Sequence, residues 1–191
     1  LFTRNKSAIE VDAIAGTRSI SDTGFYSGDL LSSTKDHQEH ELVVQGIIAT
    51  LKQLASSIKI NYKQQLVKLS KVQHLKTLIS AELSSSNSDK ELLRCLQPTA
   101  AIGGSPRDEA LALIKELESF NRGFYSGVAG LITKDYSEFL VLIRTCLVNL
   151  NSLYLFSGAG IVLESKPESE WDELNSKLSN YLELLHGAVQ V

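Results

Sequence analysis

FYSGVAGLITKDYSEFLVLIRTCLVNLNSLYLFSGAGIV, residues 124–162, decides the fold class. It divides into three apolar runs rich in β-branched and aromatic residues, 124–132, 139–148 and 153–162. The separators, Thr133-Lys134-Asp135 and 149–152, are of hairpin length. Runs of this kind joined so tightly predict an antiparallel meander, because parallel neighbours need a crossover of about a dozen residues. Downstream, 168–186 carries Trp171, Leu174, Leu178, Tyr181 and Leu185 at helical spacing, which predicts a closing amphipathic helix with these side chains inward. Upstream, Pro106 opens a helix whose buried stripe is Ala110, Leu113, Ile114 and Leu117. A glycine-containing turn at 101–106 precedes it, and before that a short helix, 89–96, is broken by Pro98. The tract 76–83, stopping at the polar run 84–88, reads as helical, and 66–75 reads as a strand. A long helix follows Ser33 or Thr34 to about residue 57, with Leu42, Val43, Ile47, Ile48, Leu51 and Leu54 on its apolar side. The Ser-, Gly- and Asp-rich stretch 18–33 reads as a loop. In 8–16, Ile9, Val11, Ala13 and Ala15 alternate into a tight turn at Gly16-Thr17. Strands and helices in clusters, without strict alternation, predict an α+β fold with a largely antiparallel sheet and packed helices.

The chain has 191 residues, 43% hydrophobic and 21% charged, enough for one domain or a large piece of one. This composition excludes disordered and collagen-like classes. No apolar run approaches the roughly 18 residues of a membrane span, so no membrane partner is expected. A net charge of −3 with scattered Lys and Arg offers no electrostatic footprint for nucleic acid. Cys95 and Cys146 lie far apart with no CxxC spacing, which indicates neither a disulfide framework nor a zinc site; a reducing, cytoplasmic setting fits. The chain starts at Leu1 and contains no methionine, so we expect a portion of a longer protein.

Two acidic helix starts carry the most chemistry. Asp36 and Glu39 lie three apart on one face of the first long helix, and Glu170 and Glu173 do the same on the last, with Lys177 four further on. Taken alone, acidic first turns complement the helix dipole. If the two helices converge, the carboxylates meet, and like charges so close call for a cation or a shifted protonation. Oxygen-only donors of this type suit magnesium.

Several strings, in order, resemble the chorismate-utilising enzymes, the family of isochorismate, salicylate, anthranilate and aminodeoxychorismate synthases. They are Ala15-Gly16-Thr17-Arg18, Lys35-Asp36-His37-Gln38-Glu39-His40, Val72-Gln73-His74-Leu75, Pro98-Thr99-Ala100-Ala101-Ile102-Gly103-Gly104-Ser105-Pro106, Ile143-Arg144, Gly158-Ala159-Gly160-Ile161-Val162, and Glu170-Trp171-Asp172-Glu173 with Lys177. The set spans nearly the whole chain. The resemblance implies the chorismate-binding fold of anthranilate synthase component I. It also implies Mg2+ held by Glu39 and Glu173, with Asp36 and Glu170 behind them as water-bridged partners. Arg144 would bind a substrate carboxylate, a task suited to a planar fork. Gly16, Thr17, His74, Ala101, Tyr125, Gly158, Gly160 and Lys177 would line the chorismate pocket. Without the family, Arg144 could equally be an ion-paired strand arginine, the glycines a strand bend, and His74 a hydrogen-bonded core histidine. His37, His40 and His186 read as structural or solvent-facing.

The string from Pro98 to Pro106 looks like isochorismate synthases, and Ala15 stands where aminodeoxychorismate synthases carry lysine. The implied reaction is magnesium-dependent isomerisation of chorismate to isochorismate, by water addition and hydroxyl loss. The alternatives are salicylate or anthranilate synthase, or a non-catalytic truncated paralogue. Gln97 stands where isochorismate synthases usually have histidine, and glutamine cannot titrate near neutrality. No equivalent of the family's base lysine or acid glutamate is found. We therefore expect residues 1–191 to be the C-terminal portion of a single chorismate-binding catalytic domain, with both proton-transfer groups in an upstream half. Oligomeric state is not legible.

Overall fold

In the computed structural model, which describes residues 1–19, 30–68, 72–84 and 87–188, the alternation from Ile9 to Ala15 becomes strand β2 (Ala8–Ser19), with all four odd-numbered side chains buried. It lies inside a six-stranded sheet with β1 (Phe2–Asn5), β3 (Ala55–Lys68), β4 (Val72–Leu83), β5 (Val128–Ile132) and β6 (Tyr136–Val141), in the order β3-β4-β2-β1-β6-β5. Every neighbouring pair is antiparallel. A separate ribbon pairs β7 (Cys146–Asn149) with β8 (Ser152–Leu155). Helix α1 (Thr34–Leu54) lays Val43, Val44, Ile47 and Leu51 on Ile9, Val11, Ala13 and Ile79, which makes the core. Helix α2 (Asp89–Leu96) closes that core with Leu92 and Leu96, and its start is a reciprocal Ser88–Glu91 capping box. The short α3 (Ala100–Gly103), α4 (Arg107–Leu117) and α5 (Pro167–Ala188) complete an α+β arrangement.

Several expectations are corrected. The tract 76–83 is strand, the second half of β4: Leu75, Thr77, Ile79, Ala81 and Leu83 are all buried at period two. A short apolar run fits either period, and the antiparallel pairing of Val11 with Ile79 and Ala13 with Thr77 selects the strand. The long helix stops at Leu54, and the polar residues after it form the edge strand β3, where Lys59, Lys63 and Lys68 discourage further pairing. The expected meander is two hairpins in two sheets. Its middle run leaves the sheet after Val141 and passes through Arg144 at φ +54°, and its last run is strand only to Leu155. Leu113 and Leu117 of α4 are exposed. Trp171 is 64% exposed, because Glu170, one position earlier on α5, is the residue turned inward. Most of the expected loop at 18–33 and the side chains of Leu185 and His186 lie outside the described residues.

Ile79 is fully buried at the centre of this core, so Ile79→Ala is expected to cost about 2–5 kcal/mol. Ser88→Ala, which removes only an exposed cap, is expected to cost about 1 kcal/mol. Urea unfolding of both variants checks the ranking; equal losses would place Ile79 outside the core.

Candidate functional site

A β-bulge at Gly16 begins the site. Pairing of β2 with β4 shifts register between Ala15 and Thr17, and Gly16 takes φ +74° there. A Cβ on Gly16 would stand 3.2 Å from the Asp36 side chain and 3.3 Å from its carbonyl oxygen, so glycine admits the first turn of α1 against the bulge. Asp36 is buried there, and Arg18 on the same strand binds it from Nη2 at 2.7 Å and Nε at 2.9 Å, while also donating to Ser33 at 2.9 Å.

The two acidic helix starts do converge. Lys35 in the first turn of α1 pairs with Glu170 in the first turn of α5, and Glu170 is only 5% exposed. Burial pushes the Glu39 carboxyl up, and the Glu173 and Asp36 charges add to this against the Gly16 backbone hydrogen bond and Lys177. Lys177 pairs with Glu173 at 2.6 Å and donates to the Gly158 carbonyl at 2.8 Å. The backbone at Gly160 presses on Glu39: a Cβ there would sit 2.7 Å from Glu39 Oε1.

Among the described residues, no group of three or more His, Cys, Asp or Glu side chains meets as a ready-made metal cage. The donor set is sparser and all oxygen: Glu39 and Glu173 within each other's field, Asp36 beside them, and Glu170 Oε2 buried without a hydrogen-bond partner. That set does not suit zinc, which takes nitrogen and sulfur ligands in a closed tetrahedron. It fits a hard cation that takes one or two carboxylates and completes its shell with water and an anionic ligand.

The remaining expected residues distribute unevenly around these carboxylates. Thr17 Oγ1 and His74 Nδ1 are 2.9 Å apart across the β2–β4 pair. Burial first, then the charges of Arg144 and Lys177, hold the His74 imidazole down to about 4. Arg144 therefore lies within the field of this end of the sheet, and it makes no ion pair among the described residues. Its left-handed backbone is uncommon for a residue with a side chain and occurs often where geometry serves a site. Tyr125 stacks on Phe156 with centroids 5.3 Å apart, and its hydroxyl would meet a Cβ on Gly158 at 2.5 Å. Ala101 is exposed on α3, and none of these interactions reaches it. His40 is fully buried against Thr77 Oγ1 at 2.8 Å, so of the two roles expected for it, structural or solvent-facing, it takes the structural one. Gln97 donates to the Ser126 carbonyl at 2.6 Å, which ties α2 to the Tyr125 turn.

Two cations escaped the sequence reading, Arg18 and Lys35. Both stood inside quoted strings, and a signal was present for one: a lysine in the first turn of a helix opposes the dipole and so needs a partner elsewhere.

A model of the family described as chorismate binding enzyme matches residues 1–186. Isochorismate synthase MenF of Haemophilus influenzae is 35% identical over 188 residues, covering 96% of this chain and 44% of that protein. The structure of MenF, the menaquinone-specific isochorismate synthase from Escherichia coli, superposes with TM-score 0.83 at 34% identity, over 94% of this chain and 42% of that one. Anthranilate synthase component I from Streptococcus pneumoniae, at 24% identity and TM-score 0.80 over 93% of this chain and 40% of that one, shares the fold. The chain thus spans less than half the length of these relatives. With the family model matching nearly the whole chain and the fold shared, the chain belongs to the chorismate binding enzyme family.

Proposed function

We propose that the protein is an isochorismate synthase that converts chorismate to isochorismate with magnesium, adding water at one ring carbon and losing hydroxyl from another. One observation carries the reading: Glu39 is held between the Gly16 and Gly160 backbones and faces Glu173 and Asp36 with its charge only partly compensated. Such a carboxylate group is stable in its ionised form when a cation joins it. The names of the relatives at about 35% identity support the choice of reaction.

In this reading Glu39 and Glu173 hold Mg2+, while Asp36 and Glu170 receive its water ligands. Bound between Glu39 and Glu173, the ion would supply the positive charge that offsets them and complements the ring carboxylate of chorismate. Arg144 takes the second substrate carboxylate, with its fork preset by the strained backbone. Lys177 keeps Glu173 oriented and fixes the 158–160 segment through the Gly158 carbonyl. Backbone amides of that segment stand ready for an anion, because glycine lets a ligand approach closely. His74, neutral above about pH 4, offers the ring a hydrogen bond and no charge, oriented by Thr17. Tyr125 walls the pocket, and Ala101 lines its rim. None of these groups is assigned the proton transfers. Residues 1–191 supply, in this reading, the groups that bind the cation and the substrate carboxylates. Two free, exposed cysteines, Cys95 and Cys146, support a reducing, cytoplasmic setting. No described helix is long and apolar enough to cross a membrane.

Calorimetric titration of chorismate with and without magnesium, followed by chromatography of the products, tests the proposal. Magnesium-dependent binding with isochorismate formed is expected; salicylate with pyruvate, or no binding by folded protein, would overturn it. Glu39→Ala and Glu173→Ala should each weaken magnesium-dependent binding by more than the roughly 10–100-fold that losing a group behind a metal ligand costs. Arg144→Lys should weaken chorismate binding by about tenfold while leaving magnesium alone, as one charged hydrogen bond of the fork is lost.

His74 also sets a pH dependence. Its folded value of about 4 lies below the ordinary 6.5, so below pH 6.5 the unfolded chain takes up a proton that the fold refuses. Its contribution to stability is full above pH 6.5 and is lost between 6.5 and about 4. Melting curves of wild type and His74→Asn across that window are expected to converge as pH falls. Parallel curves would mean that His74 titrates normally.

A further inference from the structure

Helix α5 meets the rest of the fold through charge more than through apolar packing. Trp171 and Leu182 on it are largely exposed, and Leu174 and Leu178 are only half-buried. Among the described residues three polar ties of α5 to the rest of the fold bear on the site. Lys177 holds the Gly158 carbonyl at 2.8 Å, Ser157 donates to the Leu174 carbonyl at 3.4 Å, and Lys35 of α1 pairs with Glu170. The last of these joins the first turn of one helix to the first turn of the other. On each helix one of the glutamates assigned to magnesium follows in the next turn, Glu39 four residues after Lys35 and Glu173 three residues after Glu170.

We propose that Lys35 is a positioning residue for this site: by pairing with the buried Glu170 it docks the start of α5 on the start of α1 and so sets the spacing of Glu39 and Glu173. This rests on the reading of those two glutamates as the magnesium pair. Three features converge on it. Lys35 stands in the first turn of a helix, where a cation opposes the dipole, so an unpartnered lysine there would be unfavourable. Glu170 is 5% exposed with Oε2 unpartnered, and a buried carboxylate needs a compensating charge. Arg18 plays the parallel part for Asp36 from within the sheet, at 2.7 Å, so each outer carboxylate has its own cation. Glu173 is paired by Lys177 from its own helix, and among the described residues Glu39 alone of the four makes no ion pair. Lys35 itself does not reach the magnesium or the substrate in this scheme; it acts through the placement of a helix.

The test uses the protein with Lys35→Met, which keeps length and removes charge, and Lys35→Arg, which keeps charge. Two readouts are taken: hydrogen exchange of the α5 amides without magnesium or chorismate, and magnesium affinity by calorimetry. Lys35→Met is expected to speed exchange over 168–179 and to weaken magnesium about tenfold or more, in the range known for groups behind metal ligands. Lys35→Arg is expected to return both toward wild type. If Lys35→Met does not fold, Glu170→Gln, which removes the other partner, should loosen the same amides. Wild type that binds magnesium, with Lys35→Met leaving both readouts unchanged, overturns the inference alone. Wild type that binds no magnesium overturns the reading beneath it, and the inference with it.

Discussion

Negative charge gathered where two helices start is the constraint to which the rest of this structure answers. Asp36, Glu39, Glu170 and Glu173 lie within the fields of a few cations at one end of the sheet, and two of the four, Asp36 and Glu170, are buried. Helix dipoles favour carboxylates there by a few tenths of a kcal/mol to about 1 kcal/mol each, too little to offset mutual repulsion and burial. The fold answers with Arg18 on Asp36, Lys35 on Glu170 and Lys177 on Glu173. Among the described residues Glu39 has no such cation of its own in contact, and burial with the Glu173 and Asp36 charges pushes its carboxyl up. The imbalance is local, and it is where a divalent ion would restore neutrality.

Backbone geometry decides how close these groups come. A Cβ would be tight against Asp36 at Gly16, in the bulge, and would displace the Glu39 carboxylate at Gly160. One glycine admits α1, and the other brings the 156–164 segment over the carboxylate. The core explains why the arrangement can be held. The packing of Val43, Val44, Ile47 and Leu51 on β2 and β4 fixes α1 against the sheet, so the first turn of α1 is placed by apolar contacts made two turns away. Helix α5 has no equivalent apolar anchor at its start and depends on ion pairs. Removing a charge should therefore affect the two helices differently.

Alternation in 8–16, the capped start of α1, the short helix after 88 and both acidic helix starts were legible from the residues in order, because each is encoded within a few positions. So was the α+β class, since hairpin-length separators exclude parallel neighbours. The strand character of 76–83 was not legible. Leu75, Thr77, Ile79, Ala81 and Leu83 fit two periods until β2 pairs alongside them. The break after Val141 was equally hidden, as nothing in Leu142-Ile143-Arg144 demands a left-handed arginine. Trp171 looked like an inward residue by its chemistry, and the long-range pull of Lys35 on Glu170 turned it outward. Local spacing thus specified which carboxylates share a helix face. Which helices meet, and which cations serve the buried Asp36 and Glu170, were settled by contacts between residues 18 to 135 positions apart, whereas Lys177 serves Glu173 from four positions along the same helix. Sequence periodicity reports a residue's neighbours along the chain, and only folding brings together charges that are distant in it.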